Sequence, residues 1–296
     1  MPGGETANAA ACYGFGGAPC VLLDGLNEAS RPGDPVFFGI DTEIRRRFGV
    51  CNPGAATFVR DNTLCMMPWT QACGAPCHDI GIVTSNTPDA ALGTGTAIAR
   101  YVSSLGRRPA LIGCDHTASF AGVMGTLQGG ARPLTYLYFD AHYDLGLHAP
   151  DANLHNGNFV SRLLGLEQVT GVVNVGARSW AVHVPVYRDV PRFTWIPGGV
   201  PQLSAAEMID RLGWLRGARL YVSIDADVLD PSSAPNVPCP EPFGMPPGDL
   251  FAICRWLGRS CDVVGGDLCE ILPSPHSLTS EQVLMRCFHA LFGGRR

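Results

Sequence analysis

Short runs of β-branched, aromatic and other apolar residues recur along the chain, at Val36–Ile40, Ala110–Ile112, Leu134–Phe139, Val172–Val175, Phe193–Ile196, Leu220–Ile224 and Val263–Val264. They read as continuous apolar segments, the pattern of strands buried on both faces. Between several of them lie stretches of helical length. Ala90–Ser104 follows Asp89, Ser204–Leu215 reads SAAEMIDRLGWL, and Pro247–Leu257 and Ser280–Leu291 are similar. This alternation predicts an α/β fold, a three-layer α/β/α sandwich around a mostly parallel central sheet. Residues 1–34 are rich in Gly, Ala and Asn and predict an N-terminal arm or irregular lead-in, one able to cover a neighbouring subunit. Residues 35–296 carry no linker, repeat or composition break and predict one domain.

Composition narrows the function classes. The 296 residues are 46% hydrophobic and 16% charged, enough apolar material for a large core. All 21 basic residues are arginine, against 26 acids, for a net charge of −5. The longest basic tract is Arg45-Arg46-Arg47, so no nucleic-acid footprint is expected. No apolar run reaches the roughly 18 residues of a membrane span. The N-terminus lacks the charged and apolar regions of a signal peptide, so a cytoplasmic location is expected. Of the twelve cysteines, Cys114, Cys254, Cys261, Cys269 and Cys287 sit in apolar stretches, where a thiol behaves as a small hydrophobe. Cys65, Cys73, Cys77 and His78 form a tighter group that could hold structural zinc, although a second well-spaced ligand pair is missing.

The chemistry gathers where strands end. Ala110–Ile112 is followed by Gly113-Cys114-Asp115-His116-Thr117, and Leu134–Phe139 by Asp140-Ala141-His142-Tyr143-Asp144. Leu220–Ile224 is followed by Asp225-Ala226-Asp227-Val228-Leu229-Asp230-Pro231. In a parallel sheet, ligands bind beyond the carboxyl ends of the strands. Alternate residues of an extended segment face the same way, so His116, Asp140, His142, Asp144, Asp225 and Asp227 can converge. So many carboxylates desolvated together would repel one another and take up protons unless cations sat among them. Carboxylate and imidazole donors suit Mn²⁺, and their number suits two ions about 3.5–4 Å apart that activate a shared water.

These residues resemble the manganese ureohydrolases, the arginase and agmatinase family, with the agmatinase-like branch nearest. Gly113–Thr117, Asp140–Asp144 and Ser223–Pro235 match three family signatures, the last of them long and specific. Gly39-Ile40-Asp41, Asn52-Pro53-Gly54-Ala55 with Arg60, Gly176-Ala177-Arg178-Ser179 and the helix Thr279–Phe292 extend the likeness over roughly residues 35–292. The resemblance implies that His116, Asp140, Asp144 and Asp225 hold one Mn²⁺ and that Asp140, His142, Asp225 and Asp227 hold the other. Asp140 and Asp225 would bridge, leaving Asp230 as a turn residue or outer acceptor. It also implies attack on a guanidinium carbon to give urea and an amine, with Glu270 gripping the guanidinium. His155 would carry a proton to the leaving amine, with His148 as a competitor. A homo-oligomer, trimer or hexamer, is implied too.

Departures from the family pattern bear on the substrate. Asn156 and Asn158 replace the Gly and Pro around His155, which points to a differently shaped loop. Gly146 and Asp151 stand where arginases carry the Asn and Ser that hold a carboxylate. Pro240-Glu241-Pro242-Phe243-Gly244 resembles an agmatinase segment with Phe243 in place of a glycine. Asp151, Asn153, Phe243 and Trp180 are therefore expected near the pocket mouth, with the first three contacting substrate. The expected activity is hydrolysis of a small arginine-derived guanidino compound, agmatine-like or a guanidino acid. Arginine, a modified arginine of a biosynthetic pathway, or a formimino compound is the alternative.

Overall fold

The computed structural model describes residues 13–66, 76–130, 132–146, 153–179, 189–274 and 276–293. Eight strands, β1 (Pro35–Ile40), β2 (His78–Val83), β3 (Arg108–Gly113), β4 (Leu134–Phe139), β5 (Val169–Val175), β6 (Phe193–Ile196), β7 (Arg219–Asp225) and β8 (Asp262–Cys269), form one sheet. Their order is β2-β1-β3-β8-β7-β4-β5-β6, and every pairing is parallel. Helices α1 (Leu26–Ala29), α2 (Ala55–Asn62), α3 (Pro88–Ser104), α4 (Ala118–Gly130), α5 (Phe159–Leu164), α6 (Ala205–Arg211), α7 (Pro247–Ser260) and α8 (Thr279–Phe292) accompany it. The expected three-layer architecture is present, and the sheet is parallel throughout rather than mostly so.

The two-residue period of the strands divides the core. Phe37, Ile112, Leu137, Val173 and Val222 pack into one cluster with Leu250, Ile253, Phe288 and Phe292 of α7 and α8. Tyr136, Tyr138, Val172 and Tyr221 turn to the other face, where α5 supplies Phe159, Val160 and Leu163. Phe38, Ile40 and Leu111 join that side with Ala99 of α3 and Ala118 of α4. A sheet covered on both faces has no polar side to show, hence the unbroken apolar runs. Helix starts are local. Pro88 occupies the first turn of α3 and the Thr87 hydroxyl accepts from the Ala90 N–H, while Ser204 and Glu207 form a capping box on α6.

Strand β2 was not expected. Its residues, HDIGIV, begin with His78, which the sequence alone places in a possible zinc group. His78 Nε2 instead lies 3.3 Å from Asp34 Oδ2, and burial pushes the Cys77 thiol up to about 12. Among the described residues, no metal-capable cluster contains Cys77 or His78. Cys73 and the Cys65 side chain lie outside them. Residues 13–33 fold back on the sheet edge: Phe15 is buried in the core, its N–H donates to Asp79 Oδ2 (2.9 Å), and Cys20 bridges Asp79.

Candidate metal centre

Four adjacent central strands, β3-β8-β7-β4, end along one edge of the sheet. Phe139 of β4 pairs with Ile224 of β7, so Asp140 and Asp225 leave the sheet side by side. Asp225 pairs in turn with Cys269 of β8, and the Glu270 N–H donates to the Cys114 carbonyl beyond β3 (3.2 Å). Register alone therefore gathers segments from four parts of the chain. The edge is also where the backbone departs from ordinary conformations: Asp144 (φ 49°) and Glu270 (φ 59°) adopt left-handed conformations that cost a side-chain-bearing residue energy.

His116 Nδ1 stands 3.0 Å from Asp140 Oδ2, 3.2 Å from Asp144 Oδ2 and 3.1 Å from Asp225 Oδ2. His142 Nδ1 lies 3.3 Å from Asp140 Oδ1 and 3.0 Å from Asp227 Oδ2. Asp140 thus faces one imidazole with each oxygen, the placement of a bridging carboxylate. Three groups follow, His116/Asp140/Asp144 and Asp140/His142/Asp227, which share Asp140, and His116/Asp225/Cys269. Asp225 falls with His116 alone among the two imidazoles, and its Oδ1 accepts the Asp227 N–H (2.9 Å).

The donor set fits metal ions on its own terms. His116 Nδ1 and Asp140 Oδ2 are buried with only other atoms of the donor set facing them, an expensive state for a ring nitrogen and a carboxylate oxygen unless a cation joins them. Burial, then repulsion from Asp140, raises Asp144 to about 7. Burial with the charges of Asp227 and Asp140 lifts Asp225 well above the carboxylate range. At Asp140 burial is outweighed by hydrogen bonds and charge from His116 and His142, and the carboxyl is held low. Without cations the cluster can only share protons; hard oxygen and imidazole donors are the type that divalent Mn²⁺ accepts.

Outer contacts fix the donors. His116 Nε2 lies 3.0 Å from Ser223 Oγ, which donates to Asp267 Oδ1 (2.6 Å); Ser119 Oγ donates to the same oxygen (2.8 Å). This relay keeps a proton on Nε2 and leaves Nδ1 to bind metal. On the other side, His142 Nε2 is 3.5 Å from Glu241 Oε1. Arg178 donates to the carbonyls of Asp227 and Glu241 (2.7 Å each) and of Leu229 and Pro242, tying the Glu241–Pro242 segment to the loop that bears Asp227. Asp230 is the turn residue of the two roles expected for it: it receives the Ser232 and Gly244 N–H groups (3.0 Å each). One surprise is Cys269, whose sulfur lies within 4.8 Å of donor atoms of His116 and Asp225. The apolar sequence around it gave no hint that one buried thiol would border the centre.

A cavity of about 90 Å³ opens over the donors, lined by Phe48, His142, Asp144, Asn156, Gly157, Asp225, Asp227, Cys239 and Glu270. Glu270 Oε1 accepts the His116 N–H (2.9 Å) and Oε2 accepts from Arg46 (2.8 Å); burial raises its carboxyl to about 7, against the opposing charge of Arg46. His155 stands behind the cavity wall, not on it. Its Nδ1 accepts the Gly157 N–H (3.1 Å), and the Phe48 ring meets it edge-on at 5.9 Å. The two replacements around it have clear effects. Asn156 binds the loop of residues 45–48 through the N–H groups of Arg47 and Phe48, and Asn158 receives the His155 N–H (2.8 Å) and donates to Asn153.

The expected substrate contacts fare differently. Phe243 (φ 62°) is 64% exposed and off the cavity wall, its strained backbone set by the seating of Gly244, where a Cβ would meet the Leu229 carbonyl carbon at 2.4 Å. Asn153 is exposed and also off the wall. Asp151, His148 and Trp180 lie outside the described residues. Sequence reasoning missed Arg46, Phe48, Cys239 and Glu241, none of which belongs to a metal-ligand pattern.

Comparison with known proteins agrees with this geometry. The sequence profile of the arginase family matches residues 55–291, and the chain belongs to that family. It is 29% identical over 178 residues to an agmatinase of Chromobacterium violaceum, the match covering 60% of this chain and 54% of that one. It is 26% identical over 230 residues to a human mitochondrial guanidino acid hydrolase, covering 74% and 63%. The chain therefore spans between about half and two thirds of these curated relatives. The solved proclavaminate amidino hydrolase of Streptomyces clavuligerus superposes with a TM-score of 0.78 at 20% identity, covering 96% of both chains, which establishes a shared fold.

Proposed function

We propose that the protein is a binuclear manganese amidinohydrolase that cleaves the guanidino group of a small arginine-derived compound, agmatine-like or a guanidino acid, to urea and an amine. One observation carries the reading: two metal-capable clusters sharing Asp140 lie under a cavity whose wall includes Glu270. His116, Asp140, Asp144 and Asp225 would hold one ion, and Asp140, His142, Asp225 and Asp227 the other. Two such ions, when bound, acidify a shared water and supply a nucleophile at neutral pH. Glu270 pairs with the substrate's planar guanidinium and sets its carbon over the donors. His155, whose Nδ1 accepts the Gly157 N–H while the ring is neutral, would protonate the departing amine from its imidazolium form, so Nδ1 must first take up a proton and give up the Gly157 contact. The Phe48 ring must swing aside for that transfer, since it covers His155.

The cavity wall supports a cationic substrate. Of the four acids among its described residues, Asp144, Asp225 and Asp227 are assigned to metal, which leaves Glu270 to meet a cation, and no arginine lines it. Gly146 occupies the place where arginases carry an asparagine; its φ is 66°, and a Cβ there would meet the Asn158 Cβ at 2.6 Å. That leaves no room for a side chain that would hold an α-carboxylate. A guanidino acid remains compatible through Arg47, whose guanidinium lies 5.7 Å over the Phe48 ring at the cavity edge.

Incubating the Mn²⁺-loaded protein with agmatine, 4-guanidinobutyrate, arginine and formiminoglutamate, and assaying urea and formamide, tests the reading. Urea from agmatine or 4-guanidinobutyrate, at least tenfold faster than from arginine, is the expected result. Formamide alone would move the protein to formimino hydrolysis. No turnover with both ions confirmed bound refutes the activity.

A further inference from the structure

Glu270 is the most constrained acid on the cavity wall. Its backbone is held at φ 59°, its N–H is tied to Cys114, and one oxygen already receives the His116 N–H. The other receives Arg46, a residue 224 positions earlier in the chain. Arg46 is buried, its side chain 5% exposed, and it is absent from the cavity wall. Its Nε donates to Glu43 (2.5 Å), one terminal nitrogen to the Phe48 carbonyl (3.1 Å), and the other to Asn52 (2.6 Å) as well as Glu270. Asn52 is fixed in turn by Cys114 and Ile271 carbonyls (2.7 and 2.9 Å). One guanidinium thus joins the loop after β1, the turn after β3 and the end of β8.

Taking Glu270 as the guanidinium grip, as proposed above, we infer that Arg46 is its positioning residue. Each carboxylate oxygen can accept two hydrogen bonds. Arg46 takes one on Oε2, leaving an acceptor direction there for a second, incoming guanidinium; Oε1 accepts the His116 N–H (2.9 Å) and, at 3.5 Å, the Asn156 side-chain amide, a long contact that a substrate nitrogen would displace. The planar fork of arginine suits this role, because it binds several acceptors at once in fixed directions. Arg46 meets no substrate; it sets the plane in which Glu270 receives one. The same clamp holds the Phe48 carbonyl, so the ring over His155 is anchored to the same guanidinium.

A double-mutant cycle separates positioning from general structural support. Wild type, R46Q, E270Q and R46Q/E270Q, each loaded with Mn²⁺, are compared with whichever guanidino compound of the panel above is turned over fastest. Metal content and melting temperature are recorded alongside. R46Q is expected to lower kcat/KM about a hundredfold, the scale of a misplaced contact, with a KM rise of at least tenfold and two ions still bound. In the E270Q background the same change should cost less than threefold. Arg46→Lys keeps the buried charge but cannot span Glu43, Asn52 and Glu270 together, so only partial recovery is expected. If R46Q fails to fold, the cycle is run with Arg46→Lys in its place. Equal losses in the presence and absence of the Glu270 carboxylate, or a single variant within threefold of wild type, would overturn the positioning role. E270Q within threefold of wild type would instead overturn the grip assigned to Glu270, which is a separate result.

Discussion

Metal ligands are only as good as the groups that hold them, and here the holding groups can be tested one at a time. Ser223 connects His116 Nε2 to Asp267 and touches no other donor of the centre. Replacing Ser223 with Ala removes the nearer of the two partners of Nε2 and leaves the tautomer to the longer contact with Tyr136 Oη (3.4 Å). Mn²⁺ affinity should fall about 10–100-fold, the usual scale for such an outer contact. Titration calorimetry on metal-stripped protein measures it, and unchanged affinity would remove Ser223 from the assembly. The candidate ligands that the structure gathers were legible in the sequence because each follows a strand, in Asp115-His116, Asp140-x-His142-x-Asp144 and Asp225-x-Asp227, which needs no knowledge of the rest of the chain. The roles of Arg46 and Glu241 were not legible, because they meet Glu270 and His142 from distant segments, and the agmatinase-like segment around Glu241 does not name its partner. For Phe243 the position beside the motif was visible, but the backbone turn that leaves it 64% exposed was not.

Elements were legible where periodicity or capping marked them. Helices α3, α6, α7 and α8 were anticipated within a few residues, and each has a start signal or a clear apolar face. Helix α4 was not anticipated, because ASFAGVMGTLQGG is buried on most sides and rich in glycine, so no polar face reveals its period. Those glycines have a structural reason. A Cβ on Gly125 would meet the Thr96 carbonyl oxygen at 2.4 Å and the Arg100 nitrogen at 2.8 Å, so the two helices touch backbone to backbone. Gly125→Ala should therefore force α3 and α4 apart and cost about 1–3 kcal/mol, as overpacking does. Gly93 lies on the exposed side of α3 with nothing within 4 Å, so Gly93→Ala should stabilise by about 0.5–1 kcal/mol. Denaturant titration of both variants gives the comparison. Equal effects of the two substitutions would show that the close approach of the helices does not matter to stability.

At the scale of the whole molecule, the fold sets its acids against one another, and metal resolves the conflict. The sheet brings Asp140, Asp144, Asp225 and Asp227 to one edge, in a chain that already carries a net charge of −5. In the metal-free protein, burial and the neighbouring Asp140 put Asp144 at about 7, above its ordinary value, and Asp225 shifts the same way. A carboxyl whose pKa is raised on folding binds protons more tightly in the folded state. Its contribution to stability is therefore lost as pH rises from about 4 to about 7. Asp140 shifts the opposite way, but the loss it implies falls below pH ~4, outside this window. Ions must displace those protons, so binding strengthens with pH. From Asp144 alone, Mn²⁺ affinity should be about tenfold weaker at pH 6 than at pH 8. Melting curves of metal-stripped and Mn²⁺-saturated protein should accordingly separate more at pH 8 than at pH 6, because rising pH weakens the empty fold while tightening the bound one. A gap that stays constant or narrows would mean that the acids at this edge do not compete with the metal for protons.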